Sequence, residues 1–286
     1  MANTIIYAEE WAIKAQERLS ENNKFKEICN VEYTDTRVLH NPYVTDATVQ
    51  TTARGSAYTH QAVTLTDESV TINAIAILPQ FIDRADLAQS TFVKQMELAS
   101  SQAVLLNEAV ETAMFTYLAT SVTTNFDNAS IGGAAGNITV SETNIDDIIR
   151  GVKRQIRVAN GEDLMNRNGL YFVWRPADFE KLEAFVQAQG FSTADGALKD
   201  GTSQGFKYMG GEHYSSNKMT SGHLTAGVKK TTTLGIVKST YGQVVVDQEP
   251  ATADGAVSAI AVVMRVDYQF KLWNKVASVV FDVLVA

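Results

Sequence analysis

The chain has 286 residues, a mass of 31.2 kDa and 45% hydrophobic residues, enough for one large domain or two ordinary ones. One cysteine, Cys29, excludes an intrachain disulfide, and 18 glycines with 4 prolines exclude collagen-like and low-complexity folds. With 24 basic against 32 acidic residues the net charge is −8, the opposite of the basic balance expected of a protein built to grip nucleic acid.

The N-terminus has no basic region followed by an apolar run, so it does not read as a signal peptide. No stretch reaches 18 uninterrupted apolar residues, so no membrane-spanning helix is expected. Ala8, Trp11, Ala15 and Leu19 recur at helical spacing and predict an amphipathic helix. That helix either docks on its own core or forms an arm whose Trp11 anchors a neighbour.

Two runs, YVTDATVQT and AYTHQAVTLTD, flank the turn Ala53–Ser56. Thr, Val and Tyr favour strands, but neither run has a clean apolar face. A two-stranded ribbon of this kind is marginal in water, and its edges invite sticking. The expectation is a long protruding hairpin completed by another chain; an ordinary hairpin on a larger sheet is the alternative. Val70 to Leu78 follows as a more apolar strand that Pro79 is expected to end.

From Asp83 to about Ser121 there is no Pro or Gly, and apolar residues recur in steps of three and four. Asp83 reads as the N-cap. One straight helix of that length would span roughly 55 Å. Its stripe is dominated by Ala, a poor zipper, so a long helix lying along a sheet fits better than a coiled coil. The loop Ile131–Gly136 lacks the Lys-Ser/Thr of a phosphate cradle and reads as a linker into a second domain.

Residues 143–160 predict a helix with Ile145, Ile148, Ile149, Val152 and Ile156 on its apolar side. Arg150, Lys153, Arg154 and Arg157 line another side. They form either a grip for phosphates or an acidic neighbour, or a solvated face. Leu170 to Trp174 is a strand, Pro176 opens a helix and Gly190 ends it. An irregular stretch runs to about Gly222. Strands are expected at 234–238, 243–247, 256–268 and 276–285. All four prolines are expected at element boundaries.

No catalytic constellation emerges. His40, His60, His213 and His223 match no metal-ligand spacing, and each reads as a surface or loop residue. Cys29 lies in a polar stretch that does not favour a thiolate. The nucleophile elbow G-x-S-x-G is absent, and adjacent carboxylates such as Asp146 and Asp147 do not converge on a helix. No catalytic, cofactor-binding or metal-binding residue is expected, and the protein reads as a structural one rather than an enzyme.

Three stretches carry a family resemblance: VTINAIAILPQFIDRADLAQS, GLYFVWRPADFEKLEAF and GFKYMGGEHYSSNKM. In their order and spacing the chain resembles the major capsid proteins of tailed double-stranded DNA phages, which have the Hong Kong 97-like fold. The resemblance covers nearly the whole chain. It implies an α+β fold with an N-terminal arm at 1–30 and an extended loop at 41–68. A peripheral domain would comprise 31–40, 69–121 and 251–286, with an apical domain inserted at 122–250. It further implies a subunit that assembles with itself into pentamers and hexamers around the phage genome. Assembly would occur in the host cytoplasm and the product would be the virion capsid. Portal and decoration proteins would be partners, together with a separate scaffolding protein or none. The shell would enclose DNA without binding it tightly, unless the Arg150–Arg157 face points inward. Some members crosslink their shells through a lysine of the extended loop; no lysine lies between Lys26 and Lys94, so no such bond is expected. Within this reading, Arg54, the lone cation of the hairpin turn, is expected to meet Glu97, Glu108 or Glu111 of an adjacent subunit. Two other readings stay open. One is an encapsulin-type protein compartment with the same fold; the other is a soluble enzyme with an unrecognised site, which would run as a small oligomer.

Overall fold

A computed structural model describes residues 23–83, 94–188, 206–240, 243–247 and 259–286. The predicted arm helix and Trp11 lie outside the described residues. The chain enters through a single helical turn, α1 (Phe25–Ile28), and strand β1 (Asn30–Thr34). A hairpin follows, β2 (Val38–Val44) with β3 (Leu65–Thr71), and then β4 (Ala74–Asp83) and the long helix α2 (Lys94–Ser121). Asp83, expected as a helix cap, is the last residue of β4, paired with Ala259, and the residues that would form that helix's first turn lie outside the described residues. Pro79 does not end this strand. Among the described residues β4 has one strand neighbour, and an edge strand tolerates a residue that cannot donate to a ladder. Pro42 likewise sits inside β2, in a two-stranded ribbon, so these two prolines are not at boundaries.

After α2 come a short strand β5 (Asn125–Phe126) and a 3-10 turn at Asn128–Ile131, capped by the Asp127 carboxylate. Helices α3 (Ile145–Val158) and α4 (Glu162–Asn168) precede β6 (Leu170–Trp174) and α5 (Pro176–Ala188). The stretch expected to be irregular up to Gly222 contains β7 (Phe206–Tyr208) and β8 (Gly211–Ser215), joined by a turn with positive φ at Met209 and Gly210. The chain closes with β9 (His223–Val228), β10 (Thr232–Val237), β11 (Gln243–Asp247), β12 (Ala259–Leu272), a 3-10 turn and β13 (Val280–Leu284).

Two sheets organise these elements. The first is ordered β1-β10-β12-β11, with β4 on the other side of β12. Helix α2 lies on one of its faces. Leu106, Val110, Met114 and Leu118 bury against Leu234, Ile236, Met264, Val266 and Phe270. The second sheet is ordered β5-β13-β9-β6-β8-β7. The predicted isoleucine side of α3 buries on it, together with Leu182 and Val186 of α5. Gly227 allows β9 to approach the chain entering β13, where a Cβ would stand 2.8 Å from the Val279 carbonyl oxygen.

Strand pairing departs from the expected domain limits at two places. β10 and β11, expected in the inserted domain, pair with β12. β13, expected in the peripheral domain, pairs with β9 and β5 of the other sheet. The physical reason is burial. β12 is 14 residues long and needs strand neighbours along both edges, and the core-facing residues of β13 need a second layer to cover them.

β6 is buried along its whole length. Leu170, Phe172 and Trp174 face the α3–α5 core, whereas Tyr171 and Val173 face the α2 core. The alternation of a strand therefore feeds two cores at once. His213 of β8 stacks on Phe172 with 4.8 Å between ring centroids. It is not a surface histidine but fully buried. Trp174 donates from Nε1 to His213 Nδ1 at 3.0 Å, and His213 Nε2 lies 3.1 Å from the Tyr208 carbonyl oxygen. A carbonyl only accepts and an indole N–H only donates, which fixes a neutral imidazole protonated on Nε2.

Burial pushes the His213 pKa down to about 4 from an ordinary 6.5. A histidine depressed in the folded state stabilises fully above the unfolded pKa and loses that contribution as pH falls toward the folded one. Urea unfolding should therefore show about 3 kcal/mol less stability at pH 4 than at pH 7 from this group. In His213→Phe this part of the acid dependence should be absent.

Candidate subunit interface

The hairpin is anchored by buried charge. Glu68 of β3 accepts the Asn274 backbone N–H at 3.1 Å through Oε2, and Lys271 Nζ lies 3.0 Å from its Oε1. Lys275 donates to the Val44 carbonyl oxygen at 3.1 Å and to Asp46 at 2.9 Å, with its ammonium 5.2 Å from the centre of the Tyr43 ring. Leu39 and Ile72 close over Gly235 of β10; a Cβ there would meet Leu39 Cδ1 at 2.5 Å. These contacts set the direction in which the hairpin leaves the sheet.

Beyond its base the hairpin changes construction. The strand ladder ends at Val44 and Leu65, short of the strands expected at 43–51 and 57–67. Thr45 N–H reaches the Thr64 carbonyl oxygen at 3.0 Å. Further out, side-chain amides replace the ladder. Gln61 accepts Thr48 N–H at 2.8 Å and donates to the Thr48 carbonyl at 2.7 Å. Gln50 does the same to Thr59, at 3.0 and 2.8 Å. The register of the base is kept, but the arms stand one side chain apart. A turn with Gly55 at φ +87° closes the tip. Every residue from Val44 to Leu65 is exposed, with Val49 at 90%, Tyr58 at 69% and Val63 at 77%.

The residues anticipated as contacts are placed unequally. Arg54 is exposed at the tip. Glu97 lies on α2, with its side chain outside the description. Glu108 is half-buried, 3.7 Å from Lys218 Nζ. Glu111 is fully enclosed and accepts the Lys24 backbone N–H at 3.1 Å, so it is no surface for a neighbour's arginine. The reason is position: Glu111 adjoins the core residue Val110 on the side where α1 arrives.

The four cations of α3 all find partners in their own chain. Arg150 contacts Asp146 at 3.0 Å and Asp147 at 2.6 Å. Lys153 donates to the Met209 carbonyl at 2.6 Å, and Arg154 to that of Ser130 at 2.6 Å. Arg157 lies 3.5 Å from Glu162. Cys29 is buried 3.4 Å from Met114 Sδ, and burial pushes its thiol up to about 12. Among the described residues no group of His, Cys, Asp and Glu is placed to hold a metal, and no helix is long and apolar enough to cross a membrane.

Sequence reasoning missed Glu68, Lys275, Gln50 and Gln61. The glutamines had a signal. About the Arg54–Gly55 tip each is the mirror position of a threonine, Gln50 of Thr59 and Gln61 of Thr48. Glu68 had none, because its partners lie some two hundred residues away.

Together, the α2-backed sheet, the second sheet and the projecting hairpin make the α+β Hong Kong 97-like fold of phage capsid proteins. Among solved structures, a chain of Mycobacterium phage Che8 matches with a TM-score of 0.70 at 16% identity, over 98% of both chains. The capsid of Ralstonia phage GP4 matches with a TM-score of 0.67 at 11% identity, over 100% of this chain and 99% of that one. A virus-like particle from Pyrococcus furiosus matches at 0.55 and 10% identity, over 92% of each. No family model and no curated protein sequence matches the chain.

Glu68→Ala should lower unfolding stability by about 1–3 kcal/mol, the cost of orphaning a buried N–H and an ammonium. Glu142→Ala, on an exposed turn, should leave the urea midpoint unchanged.

Proposed function

We propose that this chain is the structural subunit of a tailed-phage capsid, assembling with itself into pentamers and hexamers that enclose double-stranded DNA. The observation that carries the reading is the anchored hairpin. Its exposed length cannot be satisfied within one subunit and is held out toward another. The full-length likeness to capsid structures supports the same conclusion. In this reading residues 1–30 are an arm and 41–68 an extended loop over the next subunit. The peripheral part is built on α2 and its sheet, and the apical part on α3 and α5.

No enzymatic step is involved. The α3 cations engaged within the chain, and the net charge of −8, suit a wall that contains DNA without clamping it. Portal, decoration and separate scaffolding proteins are the remaining partners, the virion is the final location, and the host cytoplasm is the site of assembly. At the hairpin tip, Arg54 meets Glu97 or Glu108 of the adjacent subunit, and Trp11 anchors the arm.

Electron microscopy and sedimentation of the expressed chain should show closed megadalton particles; a dimer or monomer would overturn the reading. Particles from cells expressing the phage should contain DNA. Particles loaded with an enzyme cargo would instead mark an encapsulin-type compartment. Arg54→Ala particles should dissociate at a lower temperature than wild type. Denaturing gels of mature particles should show single chains, since the loop carries no lysine.

A further inference from the structure

The outer hairpin holds two competing hydrogen-bond patterns. Its base and its tip share one ladder phase. Thr45 N–H reaches the Thr64 carbonyl oxygen at 3.0 Å, and Ser56 N–H reaches that of Ala53 at 3.0 Å. Both pairs continue the register of the base, in which Val44 faces Leu65. Bonded and non-bonded pairs alternate along an antiparallel ladder. A ladder running from base to tip would therefore bond Ala47 with Ala62, Val49 with His60 and Thr51 with Tyr58.

None of those bonds is made. The backbone groups that turn inward are those of Thr48 and Thr59, one residue out of phase. Each gives its N–H and its C=O to one glutamine amide, Thr48 to Gln61 and Thr59 to Gln50. The tip turn favours this arrangement. Gly55 has φ +87° and Arg54 has no positive φ, the pattern of a type II turn. Such a turn splays the arms, whereas the type I′ or II′ turn of a tight hairpin matches the twist of paired strands. Two ends set for a ladder thus bracket a middle set against it.

We propose that residues 46–63 form a two-state strap. In the open form the Gln50 and Gln61 amides hold the arms apart. In the closed form the arms pair in the same register, in one ladder from base to tip. Closing gives Tyr58, His60 and Ala62 the backbone partners they lack within the chain. It also sorts the side chains. Thr48, Gln50, Thr59 and Gln61 turn to one face, and Ala47, Val49, Tyr58 and Ala62 to the other. A surface that meets only one of these faces binds the closed form better and shifts the population toward it. The proposal rests on the shell reading for that surface: the free subunit holds the open form and the assembled particle the closed one.

The test is amide hydrogen exchange read residue by residue, because the two forms protect different amides. In the free subunit Thr48 and Thr59 should exchange about tenfold more slowly than Val49 and His60, and in particles this order should reverse. A second measurement needs no assembly. Gln50→Thr with Gln61→Thr removes both bridges, and Arg54→Asn installs the Asn-Gly pair that a type I′ turn prefers. The free triple variant should show the closed pattern. If it protects neither set of amides, no closed form exists and the proposal falls. Particles that keep the open pattern, or protect both sets alike, overturn the proposal and leave the shell reading standing. A wild-type chain that stays monomeric overturns both.

Discussion

The two-sided burial of β6 is the constraint on which the rest of the subunit depends. Its five residues leave no face for water, and odd and even positions belong to different cores. Neither core closes without it. The two sheets are therefore not independent domains joined by a linker. Tyr171 and Val173 need α2 and the first sheet, while Phe172 and Trp174 need α3, α5 and the His213 stack. A rigid subunit follows, and a rigid subunit can hold a projecting hairpin at a defined angle.

Charge is used mainly to staple the subunit to itself. Glu111 receives the incoming α1, Glu68 and Lys275 fix the hairpin, and Lys153 and Arg154 tie α3 to neighbouring turns. Glu68 and Glu111 are buried, and a buried charge left without its partner would be costly, so their pairs specify geometry as much as they stabilise it. Between Ala47 and Thr64 the hairpin carries one arginine and no acid, and β4 has no charged residue before Asp83.

Much of the fold was legible because local signals and tertiary outcome agreed. The isoleucine face of α3 and the strand–proline–helix unit at 170–188 appear where the residues place them, whereas the Thr-rich hairpin is exposed as expected but has its ladder nearer the base, at 38–44 and 65–71. The misreadings share a cause. Pro79 looks like a stop only if β4 is read without its partner. Once β12 supplies a ladder on one side, the strand continues through Pro79 to Asp83. Glu111 looks like a surface acid because it is charged and follows Glu108 by one turn, yet the chain entering α1 covers it. His213 looks like a loop residue because Gly and Ser surround it, yet β6 draws it into an aromatic stack.

The sequence by itself determined the class of architecture, the lack of a recognisable catalytic constellation and the presence of an exposed hairpin without a clean apolar face. Those properties follow from hydrophobic period, residue type and spacing, which act over a few residues. Only the tertiary structure decided which charges are spent inside the subunit, which sheet each late strand joins and which strand edge is left open. Each of these depends on partners far apart in the chain, as Glu68 with Lys271 or β1 with β10. Closing such long loops costs entropy that only the assembled cores repay, so no local pattern announces them.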